Sequence, residues 1–315
     1  MAGRRNGSGR GVEWPTLALI LACYMVWALG ITWASSTWLP LGMGLVTLAL
    51  VLHSSLQHEV LHGHPLQNRL ANAALVFLPL GLIYPYGRFR DMHLAHHRDE
   101  RLTDPYDDPE SNFCDPAVWA RLPAVLRGLL RFNNTLLGRM LVGPAIGVVS
   151  FVLGDLRQIR LGVPGVLRDW LLHLIGVALV VGIVNADSMP GWSYLLACYL
   201  AMSVLKIRTY LEHRAHERAR GRTVVVERGG VLGFLFLWNN LHAVHHARPG
   251  RPWYDLPRLW HEGRAETLRR NEHYIYRSYG QIFRLHFLRA KDPVPHPLWA
   301  EGEFRSKPAE GRDRA

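Results

Sequence analysis

The sequence predicts an all-α integral membrane protein, with four transmembrane helices in two hairpins, interfacial helices, and a histidine-rich cap on the cytoplasmic side. Three observations carry this expectation. From Trp14 to Gln57 there is no Asp, Glu, Lys or Arg. About 20 apolar residues cross a bilayer core, so this run holds two spans, with Pro40 near their turn. A second pair of uncharged runs, Trp170 to Ala186 and Ser188 to Leu205, forms another hairpin. Finally, arginines gather outside the runs: Arg4, Arg5 and Arg10 before the first, Arg157, Arg160 and Arg168 in the link before the third, and many after Lys206. By the positive-inside rule these three segments share the cytoplasmic side, and the joint Ala-Asp-Ser-Met-Pro-Gly, without Lys or Arg, lies outside.

Two further uncharged runs, 70–87 and 140–154, fit a different role. A single crossing by either would put the basic segments on opposite sides, so both are read as interfacial or packed against the bundle. Residues 1–13 are a basic cytoplasmic tail, 14–290 the membrane domain, and 291–315, rich in Pro and charge, a flexible C-terminal tail. An apolar start this long, with no small-residue cleavage site, is not a secretory signal peptide. The formal net charge is +11, which suits an anionic membrane leaflet, and no nucleic-acid motif accompanies it. Cys23, Cys114 and Cys198 are too far apart for a CxxC site and predict no disulfide framework.

The chemistry lies in the histidines, of which there are 17. HEVLHGHP (58–65) places His58 and His62 at i, i+4. HLAHH gives His93, His96 and His97, and HAVHH gives His242, His245 and His246. Residues three and four apart share a helix face, so each string aims its imidazoles at one point. All three strings follow apolar runs on the predicted cytoplasmic side. Eight imidazoles exceed one tetrahedral zinc and suit two metal ions. His213, in RTYLEHRAHE, continues past the fourth span toward the same region, and His216 follows three residues later. HExxH alone is also the mark of a zinc peptidase with Glu59 as general base; that reading leaves both HxxHH strings unexplained. A non-enzymatic metal store or sensor is the third reading. His173, inside a span, is read as a histidine bonded within the bundle, and His261, His273, His286 and His296 as surface residues.

HxxxH followed by two HxxHH strings, with HHRDERLTDPYDDPES, RTYLEH and NNLHAVHH around them, resembles the membrane fatty acid desaturase superfamily over roughly residues 40 to 260. The HGHP and RDERLTDPYDDPES strings are most similar to its small bacterial members, among them dihydrorhizobitoxine desaturase. The resemblance implies two irons held by His58, His62, His93, His96, His97, His213, His242, His245 and His246. It implies dioxygen as co-substrate and the desaturation of a fatty acyl chain or related aliphatic group. Hydroxylation of a lipid, alkane or amino-acid-derived substrate by the same centre is the alternative. Electrons would come from a separate ferredoxin- or rubredoxin-like protein, whose acidic surface would suit the basic cytoplasmic face. Some members hold one iron through an Asn-bound water four residues before the lone histidine; here that position is Thr209, so Asn240 and His64 become further ligand candidates beside His216. Acids near the ligands in sequence would orient the imidazoles through their other ring nitrogen: Glu59, Asp91 and Glu212, with Asp99, Asp104, Asp107 and Asp108. The resemblance to bacterial members implies a bacterial inner membrane, and the charge distribution puts the active site and both termini on its cytoplasmic side.

Overall fold

The computed structural model describes residues 11–97 and 102–299. The tail before Gly11, Asp99, and the chain end after Trp299 lie outside the described residues. The first hairpin pairs α1 (Trp14–Thr37) with α2 (Leu39–Leu61). Pro15 sits in the first turn of α1, where a missing N–H breaks no helical bond. Trp38 is extended, with φ −159°, and ends α1; Pro40 then starts α2. Inside α1 a π turn at Gly30–Ala34 widens the helix, and Ser35 Oγ donates to the Gly30 carbonyl at 2.7 Å. At this level the two helices nearly touch, because a Cβ on Gly42 would lie 2.8 Å from the Gly30 oxygen. We expect Gly42→Val to destabilise the hairpin by about 2 kcal/mol through overpacking. A melting temperature in detergent equal to that of the parent would refute the close approach.

The run 70–87 forms only the short helix α3 (Arg69–Leu75), capped by Asn68, and then an irregular stretch. Irregular backbone is tolerated there because side chains of the bundle satisfy its carbonyls. Tyr24 donates to Leu75 O at 2.9 Å, Tyr194 to Leu80 O at 2.7 Å, and His173 Nε2 to Leu82 O at 3.0 Å. The histidine within the third span is thus bonded inside the bundle. Next come α4 (Tyr86–His96), the short α5 (Pro116–Arg121), α6 (Ala124–Asn133) and α7 (Leu136–Leu141), and α8 (Gly143–Arg160). The run 140–154 lies mostly in α8, which ends in Asp155, Arg157 and Arg160. The Arg88 guanidinium meets Asp155 with two bonds of 2.9 Å and fixes α4 on α8.

The second hairpin is α9 (Val166–Asn185) and α10 (Gly191–Thr209). Among the described helices, α1, α2 and α9 are long and apolar enough to cross a membrane. Helix α10 matches them in length, but Ser193, Ser203, Lys206 and Arg208 lower its mean hydropathy. Leu171, Leu174, Ile175 and Leu179 stand exposed along α9, as do Leu21, Met25 and Leu29 along α1. An apolar surface this continuous belongs in lipid, so this is an integral membrane protein.

The cap departs from an all-α chain. Strand β1 (Val225–Arg228) is followed by α11 (Gly230–Leu235), α12 (His242–Ala247), α13 (Leu256–Arg270), β2 (Ile275–Ser278) and α14 (Tyr279–His286). The two strands pair in parallel, with Val225 opposite Ile275 and Arg228 opposite Ser278. The β-branched run Val224-Val225-Val226 favours this strand. Nor is the whole segment after residue 290 a loose tail. Cys114 N donates to Val294 O, and His296 N to Cys114 O, both at 2.9 Å. His296, expected on the surface, is buried, with Nε2 3.2 Å from Thr103 Oγ1. The three cysteines are free thiols.

Candidate metal centre

Four chain segments deliver the histidines to one end of the bundle. Helix α2 runs out at His62, where Gly63, at φ 98°, turns the chain away. That leaves His58 and His62 on its last two turns. Helix α10 ends just before Tyr210, and His213 is pinned by a bridge to Thr223. Strand β1 and the residue before it hold the last string, since Ala243 N donates to Val224 O at 3.0 Å and Val226 N to Asn240 O at 2.8 Å. Just before that string, Leu237 and Trp238 both take left-handed backbone conformations, φ 50° and 57°. The strand that was not anticipated is therefore what brings His213 and His242 together.

The nine imidazoles sort into two groups. His58, His62, His93, His97 and His245 form one, and His96, His213, His242 and His246 the other; within each group one ligand atom per residue lies within 4.8 Å of all the rest. Each group could hold a metal ion. The donor spacing also fits a shared metal ion, because His213 Nε2 and His97 Nε2 each face two other ring nitrogens at once. Nε2 of His213 lies 2.8 Å from that of His96 and 3.1 Å from that of His242. Nε2 of His97 lies 2.9 Å from that of His93 and 3.1 Å from that of His245. Two nitrogens at right angles on a metal with bonds near 2.1 Å are about 3.0 Å apart, against about 3.4 Å in a tetrahedron. Among the described residues, the buried Nε2 atoms of His58 and His62 have no hydrogen-bond partner, a costly arrangement unless a metal takes the lone pairs.

The surroundings decide the protonation of the metal-free centre. Burial first, and then the neighbouring imidazoles, push His62 down to about 3 and hold His97, His213, His242 and His245 below the usual histidine range. His96 goes the other way: burial lowers it, but Glu110 and Asp108 outweigh that and carry it up to about 9. Burial raises Glu110 too, yet His96 and His93 bring it well below the carboxylate range.

The sign of the pH dependence follows. Below about 6.5 an unfolded histidine takes up a proton that a depressed native one refuses. The stability these five groups contribute is complete above about 6.5 and is lost as pH falls toward 3. His96 alone contributes in the opposite sense: its share is present below about 6.5 and is lost as pH rises through 9. We expect metal-free protein in detergent to melt at clearly lower temperature at pH 5 than at pH 7.5; a flat profile would mean the imidazoles are not packed as described.

Orienting partners are only partly those expected. Asp108 Oδ1 lies 2.7 Å from His96 Nδ1, and Glu110 Oε1 lies 3.0 Å from His93 Nδ1. Asn239 accepts from His242 Nδ1 at 3.1 Å and donates to Glu212 at 3.4 Å. Glu212, raised by burial against the pull of Arg208, therefore supports His242 through an amide. Asp91 does not serve: it is exposed and paired with Arg90. Asp104 instead caps the turn at Tyr106 and Asp107. Glu59 points away from the nests, accepting from Trp253 N at 3.0 Å with His64 Nε2 3.9 Å away, so it is not placed as a peptidase base.

The extra ligand candidates also fall outside both groups. His64 Nδ1 meets the Glu13 carboxylate at 2.8 Å, tying the start of α1 to the end of α2. His216 lies at a turn, with Nδ1 accepting from Arg218 N at 3.1 Å. Asn240 donates to Val226 O at 2.7 Å and so serves the strand. Thr209 Oγ1 is buried without a hydrogen-bond partner among the described residues. Glu110 and Asn239 were missed, although Asn239 stands three residues before His242, the spacing of one helical turn.

Membrane helices ending in two nests of imidazoles define a membrane protein with a desaturase-like metal centre. The chain matches the family Fatty acid desaturase over residues 36–278, most of its length, and belongs to that family. Membership makes it an oxidoreductase. No curated protein matches the chain in a sequence comparison.

Proposed function

We propose that this protein desaturates a fatty acyl chain or related aliphatic substrate with dioxygen, using two irons and electrons from an external donor. The observation that carries the reading is the sorting of nine imidazoles into nests of five and four at one end of the span helices. A bare five-imidazole nest exceeds what structural or catalytic zinc takes from protein. Imidazole binds metal in its neutral form, so the bound ions would keep their charge. Two irons with dioxygen supply the oxidant needed to break an aliphatic C–H bond, which no side chain supplies. The protein's own part is to hold the imidazoles through Asp108, Glu110 and Asn239 and to keep water away with the packed bundle.

On this reading α10 is the fourth span, its polar positions turned to the bundle: Ser193 and Ser203 are buried. The ends of α2 and α10 and the starts of α1 and α9 then share the cytoplasmic side of a bacterial inner membrane, with the nests beneath the lipid. The test combines metal analysis with lipid and metabolite profiling of expressing cells, aerobic against anaerobic. Two irons per chain and a new double bond only in air are expected. One zinc and no oxygen-dependent product would overturn the proposal, and an oxygen-dependent hydroxylated product would replace desaturation with hydroxylation.

A further inference from the structure

The proposed reaction balances as R–CH2–CH2–R′ + O2 + 2 e− + 2 H+ → R–CH=CH–R′ + 2 H2O. Dioxygen is reduced to water, taking two electrons and two hydrogens from the substrate and two electrons from outside. Those two electrons must reach a buried metal pair from the protein surface. The structure offers a specific place for this.

His246 belongs to the four-histidine nest, yet its ring also lines a surface cavity of about 160 Å3. Arg220, Arg248 and Arg270, all exposed, line the same cavity, from the stretch before β1, the residue after α12 and the end of α13. Arg248 and Arg270 form no ion pair among the described residues. The one acid at the rim, Glu266, is already paired with Arg269. The cavity that His246 lines therefore carries a ring of arginines with little opposing charge.

The inner side of His246 completes the path. Its ring stacks on His97, with centroids 4.2 Å apart and planes 22° from parallel. His97 belongs to the other nest, so one imidazole pair joins the cavity wall to both metal positions. His242 and His213 lie 4.5 and 5.1 Å from the same ring.

We propose that this ring, Arg220, Arg248 and Arg270 around His246, is where an acidic one-electron carrier protein docks and delivers electrons to the centre. The inference rests on the di-iron reading above and adds the place on this chain where the carrier docks. A cavity of this size is too small to enclose a drug-sized or nucleotide-sized ligand, which takes about 300–1,000 Å3. Exposed arginines, two of them without an ion pair among the described residues, instead suit the carboxylates of a protein surface, and the net charge of +11 steers such a partner in from a distance.

The test uses iron-loaded, full-length protein in nanodiscs, mixed anaerobically with a chemically reduced acidic [2Fe–2S] ferredoxin or a rubredoxin, with reduced methyl viologen as a cationic reference. Oxidation of the carrier is followed by stopped flow. For the parent protein, the second-order rate should fall steeply with ionic strength. In Arg248→Glu/Arg270→Glu it should drop by at least about tenfold and lose most of its salt dependence. Arg248→Gln/Arg270→Gln should fall between. Iron content and the viologen rate should stay at parent values. If the parent accepts electrons from viologen and from neither carrier, the docking proposal fails while the metal reading stands. It also fails if the charge reversals leave the carrier rate unchanged, or if they raise the substrate KM alone, which would assign the ring to an anionic substrate group. Protein that binds no iron at all would fail the underlying reading instead.

Discussion

Replacing His96 with alanine should abolish turnover, by at least about 10³-fold, and reduce the bound metal from two ions per chain toward one. The size follows from its position. His96 is 1% exposed. One ring nitrogen faces His213 Nε2 at 2.8 Å, and the other is held by Asp108 at 2.7 Å. No solvent-exposed group can replace it there. The four-membered nest would be left with three donors, and the buried Asp108 carboxylate would keep only its backbone donors, Thr103 N and Glu110 N. Changes to orienting residues alone cost metal sites about 10–100-fold in affinity or activity, and losing a ligand exceeds that. His216→Ala is the contrast. It stands seven positions from the end of α10 and three from His213, yet bonds only its own turn, so metal content and turnover should match the parent. Metal analysis of both variants, with the product assay, decides. Two ions retained in His96→Ala, or a loss in His216→Ala, would mean that the nests do not hold the metal.

That contrast also shows what the sequence made legible. The ligand strings were readable because helix periodicity is local: i, i+3 and i+4 positions converge whatever the rest of the chain does. His213 was readable because it continues a span and because RTYLEH resembles a string of the desaturase superfamily. His64, His216 and Asn240 were attractive on proximity in sequence, but each faces a separate local demand: a carboxylate at Glu13, a turn at Arg218 and a strand carbonyl at Val226. The apolar runs marked the hairpins well, since length and charge decide what can enter lipid. The parallel strand pair was not legible. Its partners, Val225 and Ile275, are 50 positions apart and each strand has only four residues, too short for any periodic signal. Likewise, burial of Val294 and His296 depends on a pairing with Cys114 that nothing near residue 295 announces.

The acids were the hardest to read, and they carry the other large expected effect. Asp91 lies two residues before His93, yet it turns outward to Arg90, because neighbours in a helix do not face the same side. Glu110 lies beyond the segment that ends α4, and it returns to place Oε1 3.0 Å from His93 Nδ1 and Oε2 3.8 Å from His96 Nε2. Those two histidines belong to different nests. One carboxylate therefore orients a donor in the first nest and places its charge beside a donor in the second. Glu110→Gln keeps the shape and removes the charge, so His93 keeps a weaker acceptor and the second nest loses the negative charge beside His96 that would offset a bound cation. Metal affinity should fall by about 10–100-fold, with both ions affected, since neither nest retains its full electrostatic support. Asp91→Asn should leave affinity at the parent value. Competition with a graded chelator, followed by metal counting at each step, separates the cases: loss of a single ion in Glu110→Gln would limit its reach to one nest, and an effect of Asp91→Asn equal to that of Glu110→Gln would mean that net charge near the centre, and not contact with the imidazoles, sets the affinity.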